Sequence, residues 1–506
     1  MLIGGRTPVS AAMNRPVTVV GLFALGLVLG GCAVGPNYAR PAVTTPVAYK
    51  EAGGWKQAEP SDAISRPDWW KAFGDPVLDD LEARVLVSNQ TLAQSEAAYR
   101  QAKALLDQQR ASLFPSVNLS GSGVRSQTGL GALGVTEPPG VVLPSSLTSP
   151  VNTYSTSLGL SWDLDLWGRI RRSIEAARAN AQASAGDLAN ATLSAQALVA
   201  ADYFQLREAD EEKRLIDETV KDYADNVRLA ANRLKAGVAA RSDELAAESQ
   251  LQSAQASAVD LVRIRAQLEH AIAVLVGKAP ADLAITPAPW NAATPQMPVS
   301  LPSTLLERRP DIAAAERRVK AANAQIGVNA AGYFPDLSVS GQYGFTAAAL
   351  DRFFNAANNS WSIGANVAQT VFDAGATSAK VRQARTAYDA ATANYRQTVL
   401  TAFQQVEDNI AALRVLDTEY GFDQAASREA DEAETLANLQ YQAGTTDYTA
   451  VVVAQNTALT ARRTALQAAR SRWVALVDLI QAFGGGWKVQ QLASASSAQP
   501  SSPTRP

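Results

Sequence analysis

Few side chains in this 506-residue sequence could do covalent or acid–base chemistry. There is one thiol, Cys32, and one imidazole, His270. One cysteine makes an internal disulfide impossible, and one His with one Cys leaves no Zn-type ligand set. His270 stands among Leu268, Ile272 and Leu275 in helix-favouring sequence, which reads as an ordinary helix position rather than a general base. Carboxylate pairs such as Asp163 and Asp165 exist, but alternation puts both on the wet face of a strand with no nucleophile nearby in sequence. No glycine–lysine phosphate-binding loop is present, so any transport must be powered by another protein. The net charge of -3 provides no basic footprint for nucleic acid. These residues exclude most enzymes, and no cofactor is expected.

Cys32 has a chemical context of its own. A basic residue, Arg15, precedes the apolar run Val17 to Leu29, which ends in Leu29-Gly30-Gly31-Cys32. A basic flank, a short apolar core and small residues before a cut describe a secretory signal over 1–31, with either Met1 or Met13 as its start. Small residues directly before the only cysteine resemble the bacterial lipoprotein box. That resemblance implies cleavage before Cys32 and a covalent lipid on its thiol. In the same resemblance Ala33, where an aspartate would retain the protein at the inner membrane, directs it to the outer membrane. Residues 32–67, rich in Pro, Gly and Ala, read as an extended segment on the protein surface.

The elements that follow are of two kinds. Alanine-rich, helix-favouring sequence covers Val77 to Leu113, Arg169 to Leu234, Ser242 to Val276, Leu305 to Ala331, Thr377 to Gln442 and Tyr448 to Phe483. Asp75 and Pro76 supply a cap and a first turn for the first helix, and Ser242 a cap for another. A helix from Arg169 to Leu234 would be roughly 100 Å long at 1.5 Å per residue, a length suited to a tube or coiled coil. Val452, Leu459, Leu466, Trp473 and Ile480 recur every seven residues, a coiled-coil stripe. Between helices the period switches to two. Leu337, Val339, Gly341, Tyr343 and Phe345 alternate with polar residues; so do Trp361, Ile363, Ala365 and Val367, then Val117 and Leu119, then Leu158, Leu160, Trp162 and Leu164.

The chain repeats itself. Phe114-Pro115 matches Phe334-Pro335, Ala177-Arg178 matches Ala384-Arg385, and Ala236-Gly237 matches Ala443-Gly444. The expected organisation is a first repeat over 68–277, a proline-rich connector over 278–303, a second repeat over 304–487 and a Ser/Pro-rich tail over 488–506, expected to be disordered. Each repeat reads helix, strand, strand, long helix, glycine turn, helix. Four amphipathic strands fit either a soluble β-domain or a share of a membrane barrel. A membrane barrel must close, and four strands are too few, so closure needs several copies; three would give twelve strands.

Asp68-Trp69-Trp70 with Phe73 and Asp75-Pro76, Asp163 to Arg169, Arg309-Pro310-Asp311-Ile312, Phe334-Pro335 and the terminal Gly-Gly-Gly-Trp resemble the outer-membrane factors of tripartite efflux pumps, within the OprM-like, NodT-type lipoproteins of the TolC-like family. The resemblance implies a mostly α chain with a membrane β-barrel portion. It implies a homotrimer with a shared twelve-stranded barrel continued by a long α-helical barrel in the periplasm. A periplasmic adaptor and an inner-membrane transporter of the RND type would complete the pump, exporting small toxic compounds. A type I protein-secretion conduit and a trimeric coiled-coil surface protein are the alternatives. The resemblance implies that the Gly237 and Gly444 turns form the periplasmic tip and makes Gly237, Val238, Gly444 and Thr445 the adaptor-docking candidates, although each glycine could equally serve only to cap its helix. Family members carry an acid where this chain has Ala454, which puts an acidic ring in doubt at that level. Asp447 or Asp243 could supply one, or each could be a helix-start carboxylate held by the local dipole. With Val452 and Val453, they are the entrance candidates.

Overall fold

The computed structural model describes residues 33–44, 46, 48–51, 68–127, 149–290 and 309–485. The signal region 1–31, Cys32 and the tail 488–506 lie outside the described residues, as does the connector beyond 290. Seven α-helices and four strands are described: α1 (Pro76–Ser88), α2 (Gln90–Ala111), β1 (Ser116–Ser126), β2 (Val151–Leu164), α3 (Arg169–Lys235), α4 (Arg241–Leu275), α5 (Pro310–Ala330), β3 (Asp336–Ala347), β4 (Asn359–Ala368), α6 (Ala376–Ala443) and α7 (Tyr448–Ala482). The series from α2 to α4 is repeated from α5 to α7. Among the described residues no helix is long and apolar enough to cross a membrane.

The chain forms two compact units. The first comprises the described residues within Met1–Ala39, Lys103–Ala179 and Val319–Ala390; the second comprises those within Arg40–Ala102, Asn180–Arg318 and Ala391–Pro506. The first unit holds the sheet, with all strands antiparallel in the order β1-β2-β3-β4. Its polypeptide leaves each strand pair through an aspartate. Asp165 accepts from the backbone N–H groups of Ile170 (2.9 Å) and Arg171 (2.8 Å) at the start of α3. Asp373 accepts from those of Gly375 (2.9 Å) and Thr377 (2.7 Å) at the start of α6. The expectation that Asp165 lies on the strand's wet face is therefore corrected. β2 ends at Leu164, and the otherwise orphaned helix N–H groups claim the carboxylate.

The second unit is helical around an aromatic core. Phe73, Phe204 and Trp473 meet at centroid distances of 5.0, 5.3 and 4.5 Å. Trp69 and Trp70 are buried. Asp75 caps α1 by accepting from Val77 N (2.9 Å) and also accepts from the Tyr203 hydroxyl (2.5 Å). Arg309 grips both carboxylate oxygens of Asp311 (3.0 and 2.7 Å) and donates to the Ala482 carbonyl (3.2 Å), tying the start of α5 to the end of α7. The expected single helix from Val77 to Leu113 is broken at Asn89. Its backbone is extended, and its side chain accepts from Leu92 N (3.0 Å) while donating to the Leu275 carbonyl (2.7 Å). Asparagine competes with helical hydrogen bonding through its own side chain, and a tertiary acceptor decides the outcome here.

Candidate functional site

Register sorts the sheet into two chemically opposite faces. Leu119 pairs with Leu158, Leu158 with Tyr343, and Tyr343 with Trp361. Two rows along the same face, Trp162 pairs with Val339 and Val339 with Ala365. Residues directly opposite share a face, so the apolar sets of all four strands coincide. The other face reads Asn118, Gly159, Gln342 and Ser362 in one row and Ser120, Ser157, Gly344 and Ser360 in another. Its hydroxyls bond across strands, Ser120 to Ser157 at 2.9 Å and Ser122 to Ser155 at 2.7 Å. Among the described residues the apolar face is largely uncovered at its outer strand: Trp361 is 73% and Ile363 75% exposed. β1 and β4 each keep one unpaired edge. At one end of the sheet Trp167 stacks on Phe334 at 4.8 Å and donates through Nε1 to the Pro335 carbonyl (2.9 Å).

In the second unit two interhelical turns are built alike. Gly237 (φ 74°) and Gly444 (φ 73°) adopt the left-handed conformation that ends α3 and α6. Gly237 N donates to the Leu234 carbonyl (2.9 Å) and Val238 N to the Arg233 carbonyl (3.0 Å). Gly444 N donates to the Tyr441 carbonyl (3.0 Å) and Thr445 N to the Gln440 carbonyl (3.0 Å). Both pairs form the paired bonds of a Schellman cap. Val238 is 62% exposed; Gly237, Gly444 and Thr445 are exposed as well. Arg233 bridges the two turns, donating from Nη1 to the Tyr441 carbonyl (2.6 Å) with its guanidinium 4.6 Å from the Tyr441 ring centroid. Behind the turns Ala230, Ala247, Tyr441, Tyr448 and Val451 form one buried cluster.

The entrance candidates occupy different environments there. Asp447 is the N-cap of α7, its exposed carboxylate accepting from Ala450 N (3.0 Å). Asp243 lies in the first turn of α4, where Oδ1 accepts from the Ser242 hydroxyl (3.3 Å). Val452 is half-buried against the cluster, while Val453 is 60% exposed. Ser242 does not cap α4: the helix begins one residue earlier, and its N-cap is Ala240, which makes no side-chain cap bond. Burial pushes the Tyr448 hydroxyl up to about 12, with Tyr441, Tyr223 and Asp243 adding to the rise. The seven-residue stripe through Val452, Leu459 and Leu466 is only half-buried. The fully buried seam starts at Val451, Gln455 and Ala458 and joins the stripe at Trp473 and Ile480. Small and polar residues such as Gln455 and Ala458 on that seam leave no large-apolar period in the sequence. His270 is exposed on α4.

Residues 82–278 and 301–485 match the family model for "Outer membrane efflux protein". The chain belongs to this family. It is 30% identical over 478 residues to the outer membrane protein OprJ of Pseudomonas aeruginosa, covering 94% of this chain and 97% of that one. It is 30% identical over 477 residues to the solvent efflux pump outer membrane protein SrpC of Pseudomonas putida, covering 93% and 98%. Among solved structures, the outer-membrane channel OprN superposes with a TM-score of 0.81 at 30% identity, covering 90% of this chain and all of that one. The two matched segments correspond to the two copies of an internally duplicated, mostly helical outer-membrane efflux fold. The family consists of outer-membrane channel proteins.

Proposed function

We propose that three copies of this chain form the outer-membrane exit channel of a tripartite efflux system. The observation that carries this reading is the sheet: one apolar face, one hydroxyl- and amide-lined face, and two unpaired edges. Unpaired backbone groups cannot face hydrocarbon, so β1 of one copy must pair with β4 of another. Three copies of four strands make a twelve-stranded barrel, which is wide enough for a channel. Leu, Val, Ile and Trp face lipid, and Ser, Asn and Gln line the lumen. The long helices α3 and α6 carry the conduit into the periplasm. Cys32 carries a lipid that adds an anchor to the barrel. SrpC is named for solvent efflux, and small compounds of that kind are the cargo assigned here.

The turns form the periplasmic tip. Gly237, Val238, Gly444 and Thr445 meet the adaptor, and their exposure supports that role. Asp243, Asp447, Val452 and Val453 frame the entrance. Because Asp447 is engaged as a cap and Val453 is exposed, the entrance closes on apolar contacts as much as on charge. An inner-membrane transporter of the RND type supplies the energy, and opening is a shift toward the tip conformation that the adaptor binds. Deleting the chain from cells that express the matching pump should raise accumulation of a dye or solvent substrate. Unchanged accumulation would refute the reading.

A further inference from the structure

The described chain begins at residue 33 already tied down. Val34 N donates to the Trp167 carbonyl (2.9 Å), and a Cβ on Gly168 would lie 2.8 Å from the Cα of Ala33. Over the next residues one buried guanidinium gathers the strand. Arg172 donates from Nε to the Val34 carbonyl (3.2 Å), and from Nη2 to the Gly35 carbonyl (3.3 Å) and Asn37 Oδ1 (3.0 Å). Its Nη1 goes to Glu175 (2.8 Å). Asn323 Nδ2 donates to the Pro36 carbonyl (2.9 Å). Gly35 (φ 100°) lies backbone to backbone on Gly327: a Cβ on Gly35 would fall 2.5 Å from the Gly327 Cα, and one on Gly327 would fall 2.7 Å from the Val34 oxygen.

These contacts converge on residues 34–37. Without that segment Arg172, itself 5% exposed, would keep Glu175 alone for its five donors, an expensive buried cation. We propose that Arg172, Asn323 and Gly327 form a clamp for the chain's own mature N-terminus, and that the clamp sets the point at which the lipid anchor enters the membrane. This rests on the acylation of Cys32 proposed above. One peptide link, about 3.8 Å between Cα atoms, joins Cys32 to the held residue Ala33. The acyl chains are thereby directed beside the Trp167–Phe334 stack, at the end of the apolar sheet face. An unclamped segment would let the same lipid wander by the length of a flexible tether. Clamp and lipid also reinforce each other, since seating one raises the effective concentration of the other.

The test uses the full chain in the outer membrane, with a photoactivatable diazirine fatty acid fed to the cells and peptides read by mass spectrometry. The wild type should crosslink the acyl group to peptides containing Trp167 or Phe334. Arg172→Ala should scatter those crosslinks and speed protease cleavage within 33–39 by about tenfold or more, the scale of losing a charge-assisted set of hydrogen bonds. Arg172→Lys should fail to rescue, because a point charge cannot fork to three acceptors. Asn323→Ala, which removes only the Pro36 contact, is the milder variant if Arg172→Ala does not assemble. Crosslinks and cleavage unchanged in both variants would overturn the clamp. Absence of any fatty acid on Cys32, with cleavage still accelerated by Arg172→Ala, would remove the lipid reading and the entry-point claim while leaving the clamp.

Discussion

The two interhelical turns share a backbone and differ in almost everything attached to it. Gly444 stands 207 residues after Gly237, and the same offset relates Thr445 to Val238 and Asp447 to Ala240. The left-handed glycine and the paired cap bonds survive in both. The second turn adds a side-chain cap from Asp447 and places Tyr441, Tyr448 and Val451 in the buried cluster. At the positions equivalent to the last three, the first turn has Leu234, Arg241 and Glu244, and it contributes Ala230 and Ala247 to the buried cluster, with Val227, Leu229 and Ala246 packed half-buried against it. Arg241, itself largely exposed, instead pairs with the mostly buried Glu244 carboxylate. Duplication has kept what the backbone geometry demands and released what it does not. The result is one tightly fastened turn and one loosely fastened turn.

The largest expected effect lies at the centre of the difference. Tyr448→Ala should cost about 3–5 kcal/mol, the usual range for emptying a buried aromatic site, and should accelerate hydrogen exchange across 440–455. Arg241→Ala, the equivalent change on the first turn, should cost about 1 kcal/mol or less, because the Arg241 side chain is largely exposed and empties no buried site. Comparable losses at both positions would erase the contrast. Alkali should separate the turns next. An unfolded tyrosine ionises near its ordinary pKa of about 10, whereas burial first, then Tyr441, Tyr223 and Asp243, push the Tyr448 hydroxyl to about 12. The folded state holds its proton longer, so the Tyr448 contribution is complete below pH 10 and is lost as pH rises through 12. Tyrosinate absorbance and exchange at 440–455 should change together in that window.

Smaller effects sharpen the comparison. Gly237→Ala and Gly444→Ala should each cost about 1 kcal/mol or more, since both force a side chain into the left-handed region; equal losses would show that the shared backbone is equally strained. Asp447→Ala should cost about 1 kcal/mol, while Ala240→Asp should stabilise the first turn by roughly 0.5–1 kcal/mol, as read by exchange at 238–247. Opposite signs at equivalent positions would confirm that one helix start is capped and the other is not.

The strands were legible because a one-residue period error exposes the wrong face, so Leu158, Leu160 and Trp162 had to alternate with polar residues. The glycine turns were legible for a similar reason: Gly237 and Gly444 end long runs that hold no proline and one other glycine each, Gly186 and Gly421. Asn89 was not, since an asparagine inside helix-favouring sequence gives no sign of the Leu275 carbonyl that redirects it. Asp165 continued an alternating pattern past the end of its strand, and only the helix N–H groups show its role. Ser242 was a good local cap candidate overruled by a helix starting at Arg241. The Arg172 clamp joins residues 135 or more apart in sequence, and no periodicity signals such a contact.

The central claim is that the free edges of this sheet are closed by other copies of the same chain. Cysteine pairs scanned along β1 (Asn118, Ser120) and β4 (Ser362, Gly364), in a Cys32→Ser background, test it directly by oxidation in the membrane. The account predicts a covalent ladder of one, two and three chains that stops at three. A ladder that never leaves the single chain at any pair, or that runs past three, would contradict it.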